Sequence, residues 1–137
     1  MSEDKYVSKQ ETNGQRLTVS FVDKAQFVDQ GLRGFFQYWD LGLKASTGGR
    51  FNGQVIRAKR GLNESTGVHS HLLEFQLIYI LKGAVTVRSE LDGVFRLKAG
   101  DSVLQPPGGK QRTGMSRITC SRPSVVSDAG RLRPFPS

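Results

Sequence analysis

The stretch Thr66–Gly83, TGVHSHLLEFQLIYILKG, decides how this chain is read. It holds both histidines of the protein, His69 and His71. In an extended strand, positions i and i+2 face the same way, so the two imidazoles can aim at one point. An apolar run, Leu77 to Leu81, follows almost at once and sets the pair beside a buried sheet. Gln76, just before it, shares one parity with Ile78 and Ile80, and a run this hydrophobic is expected to turn them inward. Phe75, Leu77, Tyr79 and Leu81 then occupy the opposite face, which a second layer or a partner copy must cover.

Working outward, the chain reads as short strands separated by turns. Lys82-Gly83 is a turn. AVTVRSEL (84–91) alternates, with Val85 and Val87 on one face and Thr86 and Arg88 on the other. Asp92-Gly93 is a hairpin signal, with glycine supplying the positive φ of a type I′ turn. VFRLKAG (94–100) returns, and a strand at Ser102–Gln105 is stopped by Pro106 and Pro107, neither of which can donate to a ladder. Upstream, Gln54–Ala58 reads as a strand, and residues 46–53 and 59–67 read as loops. Phe35, Phe36, Tyr38 and Trp39 crowd into one further strand, as core packing, as the aromatic wall of a ligand site, or as both. Thr18–Phe27 is a short strand followed by a turn, and Gly31–Gly34 is turn-like. Turns this frequent, with almost no helical pattern, predict an all-β sandwich or barrel.

A chain of 137 residues is one domain on size. Its 36% hydrophobic content and 16 glycines suit a loop-rich globular domain rather than a disordered chain. No apolar run approaches the ~18–20 residues of a membrane span. The polar start MSEDKYVSKQETNGQ lacks a signal-peptide core, and Cys120 is the single cysteine, which excludes an internal disulfide framework. These features predict a soluble cytoplasmic protein without membrane contact. The net charge of +8 raises the question of nucleic acid. Residues 109–137, however, hold six basic side chains against one acid, Asp128, so five of the eight excess charges lie there. There is no basic helix, zinc-finger spacing or aromatic-interleaved strand, and nucleic-acid binding is not expected.

Two spacings resemble the motifs of the cupins, double-stranded β-helix (jelly-roll) barrels. His69-x-His71-x4-Gln76-x6-Gly83 matches the second half of the first motif, and Gly100-x5-Pro106-x-Gly108 matches the start of the second. The resemblance covers residues 34 to about 112. It implies a small RmlC-like cupin barrel with little helix, and a divalent metal (Zn, Fe, Ni or Mn) held inside it by His69, His71, Gln76 and Gln111. Two positions depart from the family: Gln76 stands where glutamate is usual, and Gln111 where histidine is usual. An amide oxygen is a weaker donor than a carboxylate or imidazole. A degenerate cupin whose histidines bind only water therefore stays open beside the metal site. Small cupins resembling this one usually pair, and Val19–Val22 is a candidate edge strand for a homodimer.

Residues 1–16 read as a flexible tail, residues 17–112 as the cupin domain, and residues 113–137 as an atypical, poorly ordered tail. In this last segment RITC and SVV alternate only weakly among scattered Arg, Ser and Pro. It reads either as a short strand near Ile118 plus loose chain, or as sequence altered after about Gly108. Cys120 reads as a small apolar residue, because no histidine is left over to activate it. Asp101 reads as a turn residue, and Glu74 has no spacing partner. There is no Walker loop, dinucleotide fingerprint or nucleophile elbow. Three functions remain open: a metal-dependent small-molecule enzyme (dioxygenase, isomerase or cyclase), a small-ligand binder without turnover and, the least expected, nucleic-acid association through the basic tail.

Overall fold

The computed structural model describes residues 3–29, 36–58, 62–65, 73–89, 91–105, 116–120 and 124–132. Twelve strands run through them: β1 (Lys5–Thr12), β2 (Gln15–Ser20), β3 (Val28–Asp29), β4 (Phe36–Asp40), β5 (Phe51–Ala58), β6 (Leu62–Ser65), β7 (Leu73–Lys82), β8 (Ala84–Ser89), β9 (Gly93–Lys98), β10 (Ser102–Gln105), β11 (Ser116–Cys120) and β12 (Ser124–Leu132). The α-helix of the described residues is the four-residue α1 (Leu43–Ser46). A six-stranded sheet has the order β10-β7-β12-β5-β4-β3, and a four-stranded sheet the order β6-β11-β8-β9. β1 and β2 form a separate hairpin. All pairings are antiparallel.

The core lies between the two larger sheets. Phe36, Ile56, Ala58, Ile78, Ile80 and Val126 enter it from one side, and Val85 and Val87 from the other. The parity expected for β7 holds: Gln76, Ile78 and Ile80 are 3%, 3% and 0% exposed, whereas Leu77, Tyr79 and Leu81 are more than 40% exposed. The turn after β8 differs from expectation. Ser89 pairs with Gly93, so Gly93 (φ 109°) ends the ladder and does not sit inside a two-residue turn at Asp92-Gly93. Residues 51–53 extend β5, and Leu62–Ser65 is a strand where loops were expected.

The strands also run past both limits of the expected 17–112 domain. The N-terminal segment is not a free tail, because β1 and β2 close on Asn13-Gly14, with Thr12 opposite Gln15. Both turn residues have positive φ (52° and 75°), the conformation of a type I′ turn. In the C-terminal segment the expected strand near Ile118 is present as β11, but the loose chain expected after it is not. β12 pairs with β5 on one edge and β7 on the other, and β11 pairs with β6 and β8. Paired on both edges, the strand backbone has its hydrogen bonds, and Val126, Asp128 and Gly130 are buried. Residues 124–132, expected as loose chain, are therefore a central strand despite their weak alternation.

The outer face of the six-stranded sheet is covered over β4 and β5. Trp39 and Val55, opposite each other in register, are 5% and 8% exposed. The Trp39 indole Nε1 donates to Asp4 Oδ2 at 2.6 Å, which ties the hairpin to the sheet. Phe27 packs on Trp39 with ring centroids 6.0 Å apart, and the Arg57 guanidinium lies 4.0 Å over the Phe27 ring. α1 lies against the same face. A Cβ at Gly53 would stand 2.8 Å from Leu43 Cδ2, so the close approach of α1 requires glycine there. No helix of the described residues is long and apolar enough to cross a membrane.

Candidate functional site

Register divides the inner face of the six-stranded sheet into two ends. Paired residues share a face. Ile56, Ala58, Val126, Ile80 and Phe36 line one end. At the other end Gln54 stands opposite Asp128, Gly130 lies between Asn52 and Gln76, and Gln105 stands opposite Gln76. The apolar end fills the core, and the polar end gathers amides around one carboxylate. Gly130 is buried opposite Gln76 and sends no side chain across the amide.

Gln76 and Asp128 are 3% and 5% exposed, and such groups are expected to be hydrogen-bonded. Gln76 Nε2 donates to Asp128 Oδ1 at 2.8 Å, and Gln54 Nε2 donates to Asp128 Oδ2 at 3.2 Å. Burial pushes the Asp128 carboxyl above its ordinary value of 3.8, and the two amide hydrogen bonds oppose that rise only in part. Because the Gln76 NH₂ is committed to Asp128, its carbonyl oxygen points the other way from the planar amide. That oxygen is the atom with which a glutamine can ligate a metal, so the Gln76 donor fits a divalent ion.

His69, His71 and Gln111 lie outside the described residues. β7 begins at Leu73, close to Gln76, and β10 ends at Gln105, directly opposite Gln76. Among the described residues, no group of three His, Cys, Asp or Glu side chains could hold a metal. Asp101 is a turn residue, as expected: its Oδ2 accepts the Lys98 backbone N–H at 2.8 Å. Sequence reasoning missed Asp128 and Gln54. The available signal was that Asp128, the sole acid of residues 109–137, sits two residues after Val126 and so shares its inward face.

Comparison with known proteins agrees with this architecture. The family model described as AraC-like ligand binding domain matches residues 51–115. An RmlC-like cupin from Shewanella frigidimarina superposes with a TM-score of 0.63 at 19% identity, over 94% of this chain and 96% of that one. This chain has the fold of a small cupin. A sugar phosphate isomerase of the cupin superfamily from Silicibacter pomeroyi matches with a TM-score of 0.61 at 15% identity, over 82% of this chain and 74% of that one. The iron(II) form of HppE matches with a TM-score of 0.61 at 10% identity, over 88% of this chain and 62% of that one. A search of curated proteins by sequence finds no significant match. The cupin neighbours thus include an isomerase and an iron protein on the same barrel.

Proposed function

We propose that this cupin binds a small molecule at the polar end of its barrel, at a divalent metal held by His69, His71 and Gln76, with Gln111 as a fourth ligand. The observation that supports this reading is the buried amide of Gln76, whose Nε2 donates to Asp128 Oδ1 and whose carbonyl oxygen is then its ligating atom. A bound metal would supply Lewis acidity to an oxygen of the ligand, or oxygen activation if it were iron. Asp128 and the amides of Gln54, Gln76 and Gln105 give that end of the barrel polar groups for a ligand. The isomerase and iron-protein neighbours support a dioxygenase, isomerase or cyclase. A second reading, ligand binding without turnover, is favoured by the ligand-binding-domain model over residues 51–115. The polar, cysteine-poor composition supports a cytoplasmic location.

Metal content tests the reading. Purified protein loaded with Zn²⁺ or Fe²⁺ and desalted should retain metal by elemental analysis, and His69→Ala/His71→Ala should lose it while melting cooperatively. Equal metal in both proteins would place the ion elsewhere. Retained metal in wild type with no consumption of any substrate tried would favour the binding reading.

We also propose a homodimer. Leu77, Tyr79, Leu81 and Leu104 stand exposed on the outer face of β7 and β10, and Leu104 is opposite Leu77 in register. A second copy would cover this apolar strip.

A further inference from the structure

The cupin motif that this chain resembles carries glutamate at the position of Gln76, and a glutamine there removes a negative charge from the site. The structure restores one nearby. Asp128 enters the same end of the barrel from β12, the strand next to β7, and its Oδ1 lies 2.8 Å from Gln76 Nε2. A glutamate at position 76 would set two carboxylates against each other at that distance, in a buried place where neither can be diluted by solvent. A glutamine meets Asp128 with a donor and keeps an oxygen for the opposite side. Gln54 completes the arrangement, because its amide satisfies the second Asp128 oxygen at 3.2 Å. All three side chains come from neighbouring strands, β5, β12 and β7, whose order and register are fixed by the sheet.

We propose that Asp128 is a positioning residue for the metal ligand Gln76: the carboxylate has moved one strand over, from β7 to β12, where it fixes the amide with its carbonyl oxygen toward the site. The inference rests on the metal-binding reading above. It gives the departure at Gln76 a cause, since glutamine at this position and aspartate on β12 form one exchangeable pair. It also separates two roles that a single glutamate combines, because the negative charge lies on Asp128 and the ligand oxygen on Gln76. Partners that orient a ligating side chain in this way typically change metal affinity by ~10–100-fold when removed.

The test is a four-protein cycle: wild type, Asp128→Asn, Gln76→Glu and Gln76→Glu/Asp128→Asn, each titrated with Co²⁺ or Zn²⁺ and each melted without metal. Asp128→Asn should weaken metal binding by about 10–100-fold while the metal-free melting temperature stays at or above that of wild type, a split that a merely structural residue would not give. Gln76→Glu alone should lower the metal-free melting temperature. The double variant should recover it and should bind metal at least as tightly as wild type. Unchanged affinity in Asp128→Asn, or independent effects of the two substitutions, would overturn the positioning role while leaving the metal reading intact. Absence of metal binding by wild type itself would overturn the metal reading and the role that depends on it.

Discussion

Two aspartates are buried on opposite faces of the same sheet, and they are buried in different ways. Asp4 is 2% exposed on the outer face, where its Oδ2 accepts from Lys5 Nζ at 2.7 Å and from the Trp39 indole at 2.6 Å. Asp128 is 5% exposed on the inner face, where both oxygens accept from neutral amides. Their pKa values move in opposite directions. Burial alone would raise Asp4, but the hydrogen bonds from Lys5 and Trp39 and the lysine charge outweigh it, and the net shift is downward. Among the described residues no cation offsets the burial of Asp128, and its net shift is upward. The contrast teaches that depth is not what separates a structural carboxylate from one placed at a site. The partners decide: a cation and an anchoring ring make Asp4 a clasp, whereas Asp128 is held, among the described residues, only by amides, groups that also serve to bind polar ligands.

The largest expected effect breaks the clasp from its apolar side. Trp39→Ala removes a ring that packs on Phe27 and donates to Asp4. Loss of a buried aromatic costs about 3–5 kcal/mol, enough to consume much of the stability of a small domain. Urea unfolding should show that loss, and limited proteolysis should cut the β1–β2 hairpin first. A stable variant with a protected hairpin would show that something other than this ring holds the hairpin down. Next in size is Asp4→Ala. It leaves the indole N–H and the Lys5 ammonium without their acceptor, at a cost of about 1–3 kcal/mol. Asp128→Asn, by contrast, removes a buried carboxylate whose described partners are neutral amides, and should leave the midpoint near or above that of wild type at neutral pH.

Acidification sharpens the same comparison. A carboxyl whose pKa is lowered by folding stabilises the native state at pH values above its unfolded value, and that stabilisation is lost as pH falls through the lower, folded value. For Asp4 the advantage of wild type over Asp4→Asn should therefore be flat at neutral pH and fade below about 3.8. Asp128 has the opposite sign. Its raised pKa means that ionisation costs native stability at neutral pH, and protonation relieves the cost as pH falls toward 3.8. The advantage of Asp128→Asn over wild type should thus shrink on acidification. Urea midpoints of the three proteins between pH 3 and pH 7 would settle it, and two differences of the same sign would contradict the contrast.

Much of the barrel was legible from the residues. The alternation in β7 and β8 and the proline stop after β10 give strands, faces and one strand end as the structure has them. What was missed follows a common cause. β1 and β2 are polar strands whose outward residues mask their pairing, yet Asn13-Gly14 was a hairpin signal in plain view. β12 was hidden because its inward residues after Val126 are Asp128 and Gly130, a polar and a small residue, so the strand lacks the hydrophobic alternation that marks its neighbours. It packs because a strand between two partners needs little apolar side chain to be held. Asp128 escaped notice for the same reason: the residue that gives the site its charge is also the one that makes the strand look like loop. His69, His71 and Gln111, the plainest part of the site in sequence, lie outside the described residues, whereas Gln76 is where its parity put it.

The smallest effect on folding should come where the clasp does not reach. Over β4 and β5 the outer face is closed by Trp39, Phe27 and Leu43, but over β7 and β10 it presents Leu77, Tyr79, Leu81 and Leu104 at 41%, 44%, 46% and 60% exposure. Each of these already meets water in the single chain, so replacing one with a charge removes little burial. Leu104→Lys should shift monomer stability by no more than about 0.5 kcal/mol, the usual range for surface substitutions. Its consequence lies in association. If a second copy covers the strip, a lysine at its most exposed leucine must bury an ammonium without a partner, and the pair should separate. Light scattering at micromolar concentration should then report a species of twice 15.1 kDa for wild type and 15.1 kDa for Leu104→Lys. A monomeric wild type would leave the strip open to solvent or to another partner. A variant that stays dimeric would move the interface away from β7 and β10, with the edge of β2 that has no partner among the described residues the next place to test.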